Sequence, residues 1–166
     1  MSGAKWRSVR GPDAAPHYRR RFVSKNFNIV VGDWDICKPD ASAIRLAVFV
    51  QEQHVPLELE MDENDPRCVH ALAYDEQGMA VGTGRLLPDG HIGRMAVQAD
   101  YRGMGVGSRL LQALVDEARI RHYLEVALSA QLHAQAFYAR HGFVAEGAVY
   151  MDAGIKHVMM RHALTV

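Results

Sequence analysis

The chain has 166 residues, the length of one ordinary domain, and 49% of them are hydrophobic, so it can bury a core. Lysine and arginine (19) balance aspartate and glutamate (19), so the charge gives no reason to expect nucleic acid or a membrane as a partner. No apolar run is as long as a membrane span, and none follows the basic N-terminal residues. We therefore expect no secretory signal and a cytoplasmic protein.

The N-terminal residues 1–25 differ in composition from the rest of the chain. They are rich in arginine and in small or polar residues, and Gly11-Pro12 and Pro16 interrupt regular structure. We interpret them as a flexible basic arm, followed by a single domain over residues 26–166. The arm could touch an anionic partner. An arginine-rich, acid-poor start is also typical of organelle transit signals, although no amphipathic periodicity supports that function.

The first half of the domain predicts one helix and four strands. Phe27 to Val31 is an apolar, β-branched run typical of a strand. Asp40 can cap a helix, because apolar residues follow at helical spacing, namely Ile44, Ala47, Val48 and Val50. The acid-rich segment Gln51 to Pro66 is interpreted as a loop. An antiparallel meander with tight turns follows, with strands over Cys68 to Tyr74, Met79 to Leu87 and His91 to Val97.

The second half alternates helices and strands. Apolar residues at helical spacing predict an amphipathic helix over Gly105 to Arg121. A strand over Tyr123 to Leu128 comes next, followed by a helix over Leu132 to Arg140 that is terminated by Gly142. Two strands close the chain, over Phe143 to Val149 and Lys156 to His162. The order predicts an α/β fold in which helices cover a mixed sheet.

The two cysteines, Cys37 and Cys68, lack the spacing of a zinc or redox motif. Cys68 and His70 could place two metal ligands on one strand face, but two ligands rarely make a metal site. We expect two reduced thiols and no bound metal.

A glycine-rich turn opens the amphipathic helix, with the sequence Arg102-Gly103-Met104-Gly105-Val106-Gly107-Ser108. The first turn of a helix offers unpaired N–H donors, and glycine lets a ligand approach the backbone closely, so the turn suits a pyrophosphate or only close helix packing. A P-loop would need a lysine before the serine. A Rossmann turn would need a third glycine at Ser108.

Two segments resemble the signatures of the GNAT acetyltransferases. Arg102, Gly105 and Gly107 match the family's Arg-x-x-Gly-x-Gly after a strand ending Met95-Ala96-Val97, and Ala130 to Phe143 is similar to its second signature. The first helix and the closing run Gly154 to Met160 resemble the bacterial ElaA/YjcF-like branch. The resemblance covers about residues 27–164 and implies the acyl-CoA N-acyltransferase fold, with antiparallel N-terminal strands before strand-helix-strand-helix-strand.

The resemblance also implies a function. The chain would transfer the acetyl group of acetyl-CoA to an amine by direct attack, while the pantetheine arm pairs with Met95 to Val97. The alternative is a catalytically silent acyl-CoA-binding module. The residues implied to bind the cosubstrate are Met95, Ala96, Val97, Arg102, Gly103, Met104, Gly105, Val106, Gly107, Ser108, Gln131 and Phe137.

Tyr138 matches the family's general acid, which returns a proton to the leaving thiolate. The other interpretation is an amphipathic tyrosine that fills the core. For the base, His91 begins the strand that carries Met95 to Val97, and its unperturbed pKa suits the task. A solvent-exposed histidine at a turn, His70 or a water chain are alternatives. His157 matches the branch motif without an assigned role.

The acceptor is expected to be a small cationic amine or a peptide amine. Five acids lie in the segment that borders the acceptor cleft in this family, namely Glu58, Glu60, Asp62, Glu63 and Asp65. They could form an acidic rim or only an ordinary solvated charge run. Neither nucleic acid nor a membrane is expected as a partner, and the chain could form a homodimer.

Overall fold

A mixed eight-stranded sheet runs through the residues that the computed structural model describes, 20–23 and 27–165. The strands lie in the order β1-β2-β3-β4-β5-β6-β8-β7, and among the described strands only β5 and β6 pair in parallel. Their bounds are Arg20–Val23 (β1), Asn28–Gly32 (β2), Val69–Tyr74 (β3), Ala80–Leu86 (β4), His91–Val97 (β5), Glu125–Gln131 (β6), Val144–Asp152 (β7) and Ile155–Ala163 (β8).

Helices cover both faces of this sheet. Their bounds are Trp34–Arg45 (α1), Leu57–Glu60 (α2), Val106–Ile120 (α3) and Gln135–Arg140 (α4), and α1 continues as a π-helix over Leu46–Glu52. One buried cluster lies between α1 and the sheet, and the larger one lies under α3 on the other face. Helices α1 and α3 therefore pack on opposite faces of the sheet.

Helix α1 starts earlier than the sequence predicted. Asp33 caps it, since its Oδ1 accepts a hydrogen bond from the Ile36 N–H at 3.2 Å. The prediction of Asp40 as the cap is wrong, because Asp40 lies inside the helix and accepts a hydrogen bond from the Tyr74 hydroxyl at 2.7 Å. Buried residues continue the helical spacing upstream, over Trp34, Cys37, Ala41 and Ile44.

Four residues of the predicted N-terminal arm form an edge strand. Arg20 to Val23 pair antiparallel with β2, so the sheet begins before residue 26. The rest of the predicted arm, residues 1–19, 24 and 25, lies outside the described residues.

Two glycines of β4 let α3 lie close to the sheet. A Cβ at Gly82 would stand 2.8 Å from Cδ1 of Leu110 and 3.0 Å from Cγ1 of Val106, which is too close for either side chain. A Cβ at Gly84 would overlap the Met95 side chain. The start of α3, which carries the glycine turn, is thus fixed against β4 and β5.

Candidate functional site

The parallel strands β5 and β6 separate soon after they meet. They pair only at His91 with Ala127 and Ile92 with Leu128. Beyond these two pairs, residues 93–97 of β5 form no pairs with residues 129–131 of β6. Residues 129–131 pair with β8 on their other side. Unpaired strand edges carry free N–H and C=O groups, so the wedge between them can accept an extended chain as an added strand.

The glycine turn lies just after β5. Gly103 and Gly105 have φ values of +77° and +82°, a conformation that glycine adopts without strain, and Gly105 is the N-cap of α3. No other described atom lies within 4 Å of a Cβ position at either residue, so space is open there. The N–H groups of the first turn of α3 can therefore meet a phosphate.

Gly107 joins the two sequence signatures. A Cβ there would stand 3.5 Å from Cζ of Phe137 and 3.8 Å from Cγ2 of Val97. One turn of α3 thus contacts both β5 and α4. The Ser108 hydroxyl lies 2.9 Å from Nε2 of His141, which ties α3 to the end of α4. The structure brings these predicted residues together.

Arg102 has a partner that sequence reasoning missed. Its guanidinium forms a bidentate ion pair with Glu52 at 2.6 and 2.8 Å, and its Nε donates to the Val97 carbonyl at 2.9 Å. The hydrogen bond from Arg102 lowers the pKa of Glu52. The positive charge expected at the turn is therefore paired with a carboxylate at the end of the π-helix, fifty residues earlier in the chain.

Three more of the residues predicted to bind the cosubstrate have different surroundings. The Gln131 amide at the end of β6 pairs with that of Gln53, the residue after the π-helix, at 2.8 and 3.4 Å. The Met104 side chain is exposed, whereas Val106 is buried in the core, so only its backbone can meet a ligand.

Tyr138 packs its ring into the α3 face of the core. It lies edge-on to Phe137 and Phe143, with ring centroids 5.0 and 6.0 Å away. Its hydroxyl makes no hydrogen bond within the described part of the chain. Burial raises the pKa of Tyr138 to about 12, so the hydroxyl keeps its proton at neutral pH.

The two histidines predicted as candidate bases, His91 and His70, and His157, which had no assigned role, have different surroundings. Nδ1 of His91 lies 3.0 Å from Asp89, with the side chain 44% exposed at the closed end of the wedge. His70 is buried, and its Nε2 lies 2.9 Å from the Asp65 carbonyl; burial lowers the pKa of His70. Nδ1 of His157 lies 2.8 Å from the Ile155 carbonyl, which makes Nδ1 the donor and leaves Nε2 as an acceptor.

The wedge, the glycine turn and the two joined signatures coincide with a match to a known family. The family model of an acetyltransferase (GNAT) domain matches residues 37–164. The chain belongs to the GNAT acetyltransferase family.

Its relatives agree with this GNAT assignment. The chain is 38% identical over 125 residues to the uncharacterized N-acetyltransferase YjcF of Bacillus subtilis, covering 73% of this chain and 89% of YjcF. Two solved structures are similar. An acyl-CoA N-acyltransferase from Pseudomonas aeruginosa is 35% identical, with a TM-score of 0.68 over 76% of this chain and 89% of that one. Escherichia coli ElaA is 30% identical, with a TM-score of 0.69 over 75% and 89%. The predicted fold and the ElaA/YjcF-like branch are confirmed.

In this GNAT domain three of the five acids in the predicted loop are paired with arginines. Asp65 accepts hydrogen bonds at 2.8 Å from both Arg45 and Arg85, and its side chain is 2% exposed. Burial alone would raise the pKa of Asp65, but these hydrogen bonds outweigh burial and lower it. Glu60 is buried against Nε of Arg45 at 2.6 Å. The interpretation as a solvated charge run is therefore wrong for these residues.

The third paired acid, Asp62, lies nearer the surface. Its Oδ2 accepts hydrogen bonds from the guanidinium groups of Arg85 at 2.7 Å and Arg94 at 3.2 Å. The hydrogen bond from Arg85 lowers the pKa of Asp62. Only Glu58 and Glu63 of the five remain exposed without such pairing in the described structure. A free acidic rim made of all five residues is thus excluded.

The cysteines are free and buried. Burial raises the pKa of Cys37 to about 12 and that of Cys68 to about 11, so both remain protonated thiols. The described residues contain no cluster of three or more side chains that could hold a metal ion. No helix within residues 27–165 is long and apolar enough to cross a membrane.

Proposed function

We propose that this GNAT protein transfers the acetyl group of acetyl-CoA to a primary amine by direct attack. The observation that carries the proposal is the wedge between β5 and β6, which opens beside the glycine turn of α3. The turn offers N–H donors for the pyrophosphate, and residues 95–97 offer a strand edge for the pantetheine arm. Open space at Gly103 and Gly105 supports the fit.

In the proposed reaction the amine nitrogen attacks the thioester carbon, a C–N bond forms and the C–S bond breaks. A backbone N–H of β5 would stabilise the negative charge that develops on the thioester oxygen. Tyr138 would give its proton to the leaving sulfur and recover one from the attacking nitrogen through solvent. The hydroxyl is protonated at neutral pH, as this role requires, but burial raises its pKa to about 12 and so makes it a weaker acid than an ordinary tyrosine.

A base is needed because an amine with a pKa near 10.4 is protonated at neutral pH, and freeing its lone pair costs roughly 4–5 kcal/mol. We propose His91, whose Nδ1 is paired with Asp89 and whose Nε2 is left to accept a proton. His157 is the alternative, for which Nε2 is also the acceptor nitrogen. His91→Gln and His157→Asn separate them, since asparagine can still donate to the Ile155 carbonyl. The variant that lowers kcat without weakening acetyl-CoA binding identifies the base.

The proposed acceptor is a small cationic amine or a peptide amine. With Glu60, Asp62 and Asp65 neutralised by arginines, a preference for cations depends on the exposed carboxylates of Glu58 and Glu63. CoA release with putrescine, lysine, a lysine-containing tetrapeptide and neutral phenolic alcohols, at low and high salt, tests this preference. Fastest release with the neutral acceptors and no salt effect would contradict it.

The same assay tests the function as a whole. We expect acetyl-CoA to bind and at least one primary amine to release CoA. Binding without release for every amine would favour the silent acyl-CoA-binding module instead. We also propose a cytoplasmic location, which two free, buried thiols support. The homodimer stays a prediction that a sedimentation experiment can check.

A further inference from the structure

Strand β5 carries a bulge inside the wedge. Ala96 pairs with Thr83 of β4 and Gly93 pairs with Arg85, so Arg94 and Met95 together lie opposite the single residue Gly84. Such a bulge bends the strand and leaves a residue out of the ladder. Met95 has no pairing partner on either neighbouring described strand, because β6 has already diverged at this level.

The backbone of Arg94 has an unusual conformation. Its φ is +51°, in the left-handed region that residues with a Cβ seldom adopt. Non-glycine residues keep such a conformation only where their surroundings hold it, and these positions cluster at functional sites. A glycine would adopt this φ without strain, whereas an arginine needs contacts that hold it in this conformation.

That side chain ties the bulge to α2 and the turn after it. The guanidinium donates to the carbonyls of Leu59 and Glu60 at 3.2 and 3.3 Å and to Asp62 at 3.2 Å. The last two partners are themselves fixed, because Arg45 holds Glu60 at 2.6 Å and Arg85 holds Asp62 at 2.7 Å. The left-handed residue is thus anchored to a buried, charge-neutral network.

We propose that Arg94 is a positioning residue for acyl transfer: its side chain holds the bulge so that a backbone N–H points at the thioester oxygen. This inference rests on the proposed function and adds a role for the acid-rich segment. The segment holds the strand that polarises the thioester, whereas the sequence left it as either an acidic rim for the acceptor or a solvated charge run.

Two substitutions separate positioning from simple ion pairing. Arg94→Ala and Arg94→Gly remove the same hydrogen bonds, but only glycine adopts positive φ without strain. We expect Arg94→Ala to lower kcat by about 10- to 100-fold, less than the 10²–10³ of an oxyanion donor lost outright. Arg94→Gly should keep a kcat at least about fivefold above Arg94→Ala, because its bulge can still reach the native conformation. Acetyl-CoA affinity should change less than about twofold in both, since the glycine turn supplies the phosphate contacts.

A spectroscopic readout needs no acceptor. The carbonyl of [1-¹³C]acetyl-CoA, observed by isotope-edited infrared spectroscopy, should shift to lower frequency on binding to the wild type. The shift should be lost in Arg94→Ala and largely kept in Arg94→Gly. Asp62→Asn, which leaves β5 untouched, should reduce it partly. Arg119→Ala is the control, because Arg119 forms only an exposed pair with Asp116 on α3.

A wild-type kcat and carbonyl shift in Arg94→Ala would overturn the proposal, because the bulge would then keep its conformation without the side chain. Equal losses in the alanine and glycine variants would also overturn it, because the effect would then not depend on the conformation of the bulge. A raised acceptor KM at unchanged kcat would also overturn it and make Arg94 a binding residue. If the wild type does not bind acetyl-CoA, the proposed function is wrong, and the inference that rests on it is wrong as well. Should Arg94→Ala not fold, the carbonyl shift of Asp62→Asn decides, and an unchanged shift refutes the proposal.

Discussion

Replacing Asp65 by asparagine removes the carboxylate that joins two buried arginines. Both Arg45 and Arg85 donate to it at 2.8 Å, and the three side chains are 5% exposed or less. Asparagine has the same shape but no charge, so the network is left with an uncompensated buried cation. Breaking a buried pair in this way costs about 3–5 kcal/mol. For a chain of this size that corresponds to a Tm lowered by about 6–20 °C.

Thermal unfolding followed by circular dichroism measures this loss at pH 7. Asp116→Asn is the matched control. It makes the same substitution in an exposed pair, where Arg119 lies 2.9 Å away, and should cost at most about 1 kcal/mol. A Tm of Asp65→Asn within about 2 °C of the wild type would refute the reasoning, because it would mean that the network contributes no net stability.

The same network predicts how stability depends on pH. The pKa values of Asp62 and Asp65 are lowered in the folded protein, so their contribution is fully present above the unfolded value of about 3.9. It is lost as the pH falls through the lowered folded values. The contribution of Glu60 to stability changes with pH in the opposite direction, because burial raises the pKa of Glu60. The difference in Tm between the wild type and Asp65→Asn should therefore shrink below about pH 4.

Two further predictions concern the site. Tyr138→Phe should lower turnover by roughly two to four decades at unchanged acetyl-CoA affinity, because it removes one proton donor and keeps the ring. Wild-type turnover in this variant would leave solvent as the donor and Tyr138 as a core residue. Glu52→Gln frees Arg102 for the phosphates and should tighten acetyl-CoA binding up to about fivefold at low salt, the worth of an exposed ion pair. Unchanged or weaker binding by calorimetry would show that Arg102 does not reach the pyrophosphate.

Local patterns predicted the parts of the fold that local forces determine. Strand β5 has the predicted bounds, and α3 is within one residue at each end, because its apolar spacing and the glycines before it are contiguous signals. The cap of α1 was missed because Asp40 precedes the apolar run used to find the helix. Strand β6 lies over Glu125–Gln131, later than predicted, because it pairs with the distant strand β8.

The chemistry of the site was predictable only where a motif carries it. The glycine turn and the Phe137-Tyr138 pair are contiguous, so the sequence could propose them. The pairs of Arg45 with Asp65 and of Arg102 with Glu52 join residues 20 and 50 positions apart, and no periodicity links them. The acids were therefore interpreted as surface charge. The sequence did not predict the wedge either, because the point at which β5 and β6 diverge depends on their pairing register.

The most direct test of the central claim is the thermal shift caused by acetyl-CoA, compared with NAD, in the wild type and in Gly105→Glu. At 100 times Kd we expect acetyl-CoA to stabilise the wild type by about 2.7 kcal/mol, or roughly 5–11 °C. Gly105→Glu should abolish the shift, because a carboxylate at the turn repels the pyrophosphate. Gly78→Glu is the control, at a glycine with the same open space and a φ of +80° in the turn between β3 and β4, and it should keep the shift. Equal or larger stabilisation by NAD, or a full acetyl-CoA shift in Gly105→Glu, would contradict acyl-CoA binding at this turn.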